Sequence, residues 1–169
     1  MTKFALYTTI YPGMEPFLSD WCKSVNNQDC RNFDIWIGAD GIETEMASSL
    51  LDEHYTVTFI STVAGDTPIS LRCRAMEQMV AHYDAIVFVD SDDLLEPSRV
   101  SEGLVGISNA DVLGCALGLI DISGQDLGGY FGLLEGENPE AVLPRHNFLG
   151  LSNTVWKCDI LRKCLPVPK

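Results

Sequence analysis

Residues 84–95, Asp-Ala-Ile-Val-Phe-Val-Asp-Ser-Asp-Asp-Leu-Leu, decide how the rest of the chain is read. Ala85 to Val89 form an unbroken apolar run rich in β-branched residues, the pattern of a strand buried on both faces. The run stops at three carboxylates, Asp90, Asp92 and Asp93. Like charges this close repel one another, and the hard, oxygen-preferring cations Mg²⁺, Mn²⁺ and Ca²⁺ are their natural companions. Taken alone, Asp-Ser-Asp-Asp reads better as a solvated acidic turn before the helix expected near Pro97. The elements that precede it point to a site.

Working back from that strand, Phe4 to Tyr11 reads as a first strand of aromatic and β-branched residues closed by Pro12-Gly13. Met14, Phe17, Leu18, Trp21, Cys22 and Val25 follow at the spacing of one helical face. Phe33 to Ala39 is the second strand, ending on Asp40-Gly41. A short helix over Glu43 to Glu53 leads to a third strand at Thr56 to Ser61. From Ile69 an amphipathic helix runs to about Tyr83, with Ile69, Cys73, Met76, Val80 and Tyr83 facing inward. Strand and helix alternate in units of roughly thirty residues, which predicts a mostly parallel sheet wound by right-handed crossovers. Ligands in such sheets bind outside the carboxyl ends of the strands. That rule brings Thr8, Thr9 and Tyr11, then Asp40, then Asp90 to Asp93 onto one edge.

Working forward, a helix past Pro97 turns Val100, Leu104 and Ile107 inward, and Asp111 to Ile120 reads as one further apolar strand. Ile122 to Asp126 is a turn. The Gly- and Glu-rich span from Gly128 to Pro144 is aperiodic and reads as a surface excursion near the site. Phe148 to Trp156 returns to the sheet, and Lys157 to Cys164 begins a helix that stops at Pro166. Of the three histidines, His54 and His82 read as exposed residues at helix ends, and His146 as a rim residue.

The 169 residues suit one domain, 1–169, of ordinary globular composition, 46% hydrophobic and 21% charged. A net charge of −13 argues against nucleic acid or an anionic membrane as the main partner. It leaves any phosphate-bearing ligand dependent on a metal and a few placed basic groups. The six cysteines contain no Cys-x-x-Cys pair and read as free buried thiols of a reducing compartment, although their even number also permits disulfides. The N-terminus lacks a signal peptide's apolar core and no apolar run reaches membrane-spanning length, so the expected location is cytoplasmic with no transmembrane segment.

With these motifs in order, residues 4 to 100 resemble family 2 of the GT-A glycosyltransferases, nucleotide-sugar-dependent and usually inverting. Thr8 to Gln28 resembles the family's opening strand, proline-containing turn and helix; Ala39-Asp40-Gly41 its Asp-Asp-Gly; Leu71-Arg72 its Ala-Arg; Val89 to Leu94 its Asp-x-Asp-Asp. The resemblance implies a GT-A-like, Rossmann-like three-layer α/β/α fold with helices on both faces of the sheet. It implies transfer of a sugar from a UDP- or GDP-linked donor to a saccharide or other hydroxyl acceptor, with Mn²⁺ or Mg²⁺. Thr9, Tyr11, Asp40, Arg72, Asp90 and Ser91 would then contact the nucleotide, and Asp92 and Asp93 the metal. Each has a plainer reading: Asp40 as a turn residue, Arg72 as a solvated helix residue, Tyr11 as strand-end packing.

The sequence departs from the family pattern at Ala39, where a second Asp is usual, and at Cys73, where Asn usually follows Ala-Arg. Inverting transfer also needs a general base, which in the family lies beyond the strand and helix placed here at Phe148 to Cys164. Three readings stay open: the chain is a piece of a longer enzyme, truncated at its C-terminal side; Asp121, Asp126, Glu135 or Glu137 supplies the base; or the domain binds donor without turnover. Apolar surface left by a missing segment would favour an oligomer. A different class is a haloacid-dehalogenase-like phosphatase with Asp90 as nucleophile and Asp92 as acid, although too little chain follows Asp90 for that family's later motifs. A sugar-phosphate nucleotidyltransferase would need a Gly-rich, Arg-containing loop after the first strand, where Thr-Thr-Ile-Tyr-Pro-Gly-Met stands.

Overall fold

The computed structural model describes residues 3–133 and 136–166. Its first strand, β1 (Phe4–Ile10), is buried along its whole length, as a strand covered on both faces must be. It lies between β2 (Asp34–Ala39) and β4 (Ala85–Phe88), and β3 (Val57–Ser61) extends the sheet beyond β2; all these pairs are parallel. The sheet has the order β3-β2-β1-β4-β8-β5, where β5 is Val112–Gly114 and β8 is Thr154–Lys157. β8 runs antiparallel to both neighbours, so the sheet is mostly but not wholly parallel.

Side chains alternate across the sheet and build a core on each face. Leu6, Ile10, Ile35, Ile37 and Val87 pack against Leu18, Trp21 and Val25 of α1 (Glu15–Asn26) and against Val100 and Ile107 of α4 (Arg99–Ile107). The short α2 (Glu45–Leu50) adds Ala47 to this layer. On the other face, Ala5, Tyr7, Trp36, Ile86 and Phe88 meet Ala75, Met76 and Met79 of α3 (Pro68–Met79) and Leu161 of α6 (Cys158–Cys164). The result is the expected three-layer α/β/α arrangement.

Four expectations are corrected. Ile69 does not face inward; it is 50% exposed, and the buried stripe of α3 is Leu71, Ala75, Met76 and Met79. Ile69 precedes Leu71 by two residues, about 200° around a helix, so the two cannot share a face. Residues 111–120 are not one strand. β5 stops at Gly114, where a Cβ would collide with Leu149, and the chain turns out at Cys115 into a two-stranded sheet of β6 (Leu117–Ile120) and β7 (Asp126–Phe131). The aperiodic span therefore holds half of a hairpin and a short helix, α5 (Pro139–Val142); Gly128 and Gly129 mask the strand pattern. The cysteines are free, but only Cys22 and Cys158 are buried, and Cys164 is exposed. Among the described residues no helix is long and apolar enough to cross a membrane.

Candidate functional site

From β1 the chain steps outward to β2 and β3, then returns to β4 on the other side of β1. The reversal leaves a crevice between the carboxyl ends of β1 and β4, the ordinary ligand position in a doubly wound sheet. Here it is a narrow cleft of about 10 Å³, roughly one water, lined by Thr9, Arg72, Phe88, Asp90, Leu151 and Ser152 among others. Thr9, Arg72 and Asp90 are polar residues drawn to it from distant parts of the sequence. The register Tyr7↔Phe88 carries Thr9 and Asp90 to the same edge. Arg72 reaches them from the second turn of α3, whose first turn is held by a reciprocal cap between Thr67 and Ser70.

The contacts among them form a chain. Arg72 Nη2 stands 3.7 Å from Asp90 Oδ1, and its Nε donates to Thr9 Oγ1 at 3.3 Å. Thr9 Oγ1 also bonds the Tyr7 hydroxyl at 3.1 Å. Tyr7 is 2% exposed, and burial raises its pKa above the ordinary phenol value. Arg74, two residues on, is engaged elsewhere, paired with Asp66 and donating to the Ser61 carbonyl. Among the described residues Arg72 is thus the one basic side chain lining the cleft.

Beside the cleft, residues 90–93 form a turn closed by Asp93 N donating to the Asp90 carbonyl at 3.2 Å. The loop that follows is anchored by Gln28, which is buried, donates to the Glu96 carbonyl and accepts from Val100 N. Asp92 is exposed and Asp93 half-buried. Partial burial, then the neighbouring charges of Asp90 and Asp92, push the Asp93 carboxyl up to about 6. Ser91 is buried, does not line the cleft, and its hydroxyl has no hydrogen-bond partner among the described residues.

Among the described residues no group of three or more His, Cys, Asp or Glu side chains converges as a cation cage. Mg²⁺ and Mn²⁺ need none: they are usually held by one or two carboxylates, completed by water and substrate phosphates. Burial first, and then the crowding by Asp90 and Asp92, disfavours charge on Asp93, and an all-oxygen donor set suits those ions.

Asp40 and Tyr11 stand on the same edge but outside the cleft lining. Asp40 N is tied to the Ile10 carbonyl, and Gly41 follows at φ +68°, a left-handed turn that glycine adopts without strain. Tyr11 follows β1 directly and is 41% exposed. A larger open groove of about 350 Å³ lies near Pro12, Leu18, Ile42 and Met46. It is the less suitable site for a phosphorylated ligand, since the charged residues lining it are Glu15 and Glu43.

The remaining acids lie apart from this assembly. Asp121 Oδ1 accepts from Ser123 N, Ser123 Oγ and Gln125 N in the hairpin turn, and these bonds, the Ser123 hydroxyl's foremost, hold its carboxyl below the usual range. Asp126 Oδ1 accepts from Gly128 N. Neither lines the cleft. Glu137 is exposed, and Glu135 lies outside the described residues.

Two kinds of residue were missed in the sequence. Tyr7 was not singled out within the first strand, yet its hydroxyl holds Thr9; the available signal was Gly38, a glycine inside a strand, which marks a close approach. Leu151 and Ser152 gave no signal, because they enter the cleft only through the antiparallel return of β8.

No protein-family model and no curated protein sequence matches the chain. Solved structures do. S. aureus TarS 1-349 in complex with UDP-GlcNAc superposes with a TM-score of 0.66 at 16% identity, covering 95% of this chain and 47% of that one. The same protein in complex with UDP gives 0.60 at 19% identity, covering 95% and 48%. The mannosyltransferase PcManGT from Pyrobaculum calidifontis, in complex with GDP-Man and Mn²⁺, gives 0.61 at 10% identity, covering 99% and 48%. The chain therefore has the GT-A fold expected of it, and it spans about half the length of these structures.

Proposed function

We propose that this chain is the nucleotide-sugar-binding domain of a glycosyltransferase, which moves a sugar from a UDP- or GDP-linked donor to an acceptor hydroxyl. The observation that carries the proposal is the junction of Thr9, Arg72 and Asp90 at the reversal of strand order, beside an acidic turn. The fold neighbours that bind UDP-GlcNAc, UDP and GDP-Man support it.

In this reading Thr9, Tyr11 and Asp40 face the base, Asp90 the ribose side, and Arg72 bridges base and diphosphate; Ser91, expected at the nucleotide, is buried away from the cleft and serves the turn instead. Arg72 is already held at both ends, by Thr9 and by Asp90, so little of its side-chain entropy remains to be lost when the nucleotide arrives. Asp92 and Asp93 would hold Mn²⁺ or Mg²⁺, which when bound offsets the charge gathering on the departing diphosphate. Leu151 and Ser152 close the cleft from the β8 side and exclude water from the donor. The acceptor is a saccharide or another hydroxyl compound.

A second reading, donor binding without transfer, draws on the state of the acids. Asp121 and Asp126 are committed to hairpin turns, and the bonds to Asp121 make it a weaker base.

Calorimetry with UDP and GDP, with and without Mn²⁺, on the wild-type chain and on Asp92→Ala tests the site. The expected result is metal-dependent binding by the wild type that falls at least tenfold in the variant. A folded wild-type chain that binds neither nucleotide under any metal condition would refute the proposal and bring the phosphatase reading forward. Sugar transfer to an acceptor pool separates the two readings offered here.

A further inference from the structure

Gly38 lies within β2, beside Thr9 in the parallel register. A Cβ on it would stand 2.7 Å from the Tyr7 hydroxyl oxygen, closer than such atoms approach, and 3.5 Å from Thr9 Oγ1. The missing side chain is the space into which Tyr7 extends. Its ring lies edge-on to Phe88 at 5.8 Å, and its hydroxyl passes over Gly38 to reach Thr9.

Hydrogen-bond accounting then assigns a direction. A phenol has one hydrogen to donate, and a buried O–H that donates to nothing is costly. Among the described residues the hydrogen-bond partner of the Tyr7 hydroxyl is Thr9 Oγ1, so Tyr7 donates to it. Arg72 Nε is itself a donor and takes the second lone pair of the same oxygen. What remains to Thr9, on the lining of the cleft, is its own hydroxyl hydrogen.

We propose that Tyr7, accommodated by Gly38, is a positioning residue that fixes Thr9 as a hydrogen-bond donor, so that the group Thr9 contacts on the bound nucleotide is an acceptor oxygen. The proposal rests on the nucleotide-binding reading and adds to it the polarity of one contact. Tyr7 lies at the back of the same cleft, and its hydroxyl acts through Thr9 and, by the shared oxygen, through the placement of Arg72.

The test is Mn²⁺-dependent binding of whichever of UDP and GDP the wild type binds more tightly, measured for Tyr7→Phe, Gly38→Ala, the double variant and Thr9→Val, with melting temperatures for each. Tyr7→Phe keeps the ring packing and should weaken binding about fivefold with little change in melting temperature. Gly38→Ala should weaken binding at least as much and lower the melting temperature. In the Tyr7→Phe background the same Gly38→Ala change should cost nothing further in either quantity, because the hydroxyl it would collide with is gone. In the Thr9→Val background Tyr7→Phe should have no effect on binding. Equal binding by Tyr7→Phe and wild type would overturn the proposal while leaving the nucleotide site standing. So would an undiminished effect of Tyr7→Phe in the Thr9→Val background. Failure of the wild type to bind either nucleotide would overturn both.

Discussion

At the scale of single residues, the site is a contest between one guanidinium and several carboxylates. Arg72 Nη2 lies 3.7 Å from Asp90 Oδ1, whereas Asp93 is half-buried beside the charges of Asp90 and Asp92. Asp93 therefore has a folded pKa of about 6 against an ordinary value of 3.8, and the folded state holds its proton more tightly than the unfolded state does. The sign follows: the contribution of Asp93 to stability is present at about pH 4 and is lost as pH rises to about 6. With chelator present, Asp93→Asn should gain stability relative to wild type over that window and keep the gain above it. Urea midpoints at a series of pH values measure this, and a gap that narrows with rising pH would refute the assignment. Cation binding should weaken below about pH 6, where the proton competes. Arg72→Lys keeps the charge and loses the planar Nε contact to Thr9, so it should recover only part of the nucleotide binding that Arg72→Ala abolishes.

At the scale of elements, α3 carries Arg72 to the cleft, and its start is the most elaborately built terminus in the chain. Thr67 Oγ1 accepts from Ser70 N, Ser70 Oγ accepts from Thr67 N, and Asp66 gathers Val63 N, Ser70 Oγ and Arg74. Thr67→Ala should cost about 1 kcal/mol of stability. Because fraying would begin one turn before Arg72, it should also weaken nucleotide binding; stability lost with binding unchanged would separate the cap from the site. The regular elements up to residue 100 were legible because their apolar residues follow a period, 3.6 in α1 and α3 and continuous in β1 and β4. Ile69 misled because apolar character alone does not say which of two neighbouring stripes meets the sheet. Gly128 and Gly129 hid β7 because a strand stabilised mainly by pairing with one partner leaves little side-chain pattern.

At the scale of the whole molecule, the chain leaves the sheet at Cys115 and returns at Asn153, and one buried side chain ties the two ends. Asn153 is fully buried; its Nδ2 donates to the carbonyls of Cys115 and Phe148, and Cys115 N returns a bond to its carbonyl. Leu151 and Ser152, which close the cleft, hang on this clamp. Asn153→Ala would leave buried carbonyls unpaired at a cost of about 2 kcal/mol. Amide exchange and limited proteolysis should then quicken between residues 115 and 153 while β1, β2 and β4 keep their protection. Uniform loss of protection across the sheet would mean that Asn153 serves the global core and not the excursion.

The parallel sheet, the edge that gathers Thr9, Asp40 and Asp90, and the acidic turn after β4 were all decided by the sequence alone. Periodicity and strand ends are local properties, and the rule that places sites beyond the carboxyl ends needs only the strand directions. The meeting of Thr9, Arg72 and Asp90, and the passage of Tyr7 over Gly38, were decided only in three dimensions. Those contacts join residues up to 63 positions apart through strand register and helix rotation. So too was the antiparallel placement of β8 between β4 and β5, since which edge a late strand joins depends on long-range packing that no short stretch of sequence encodes.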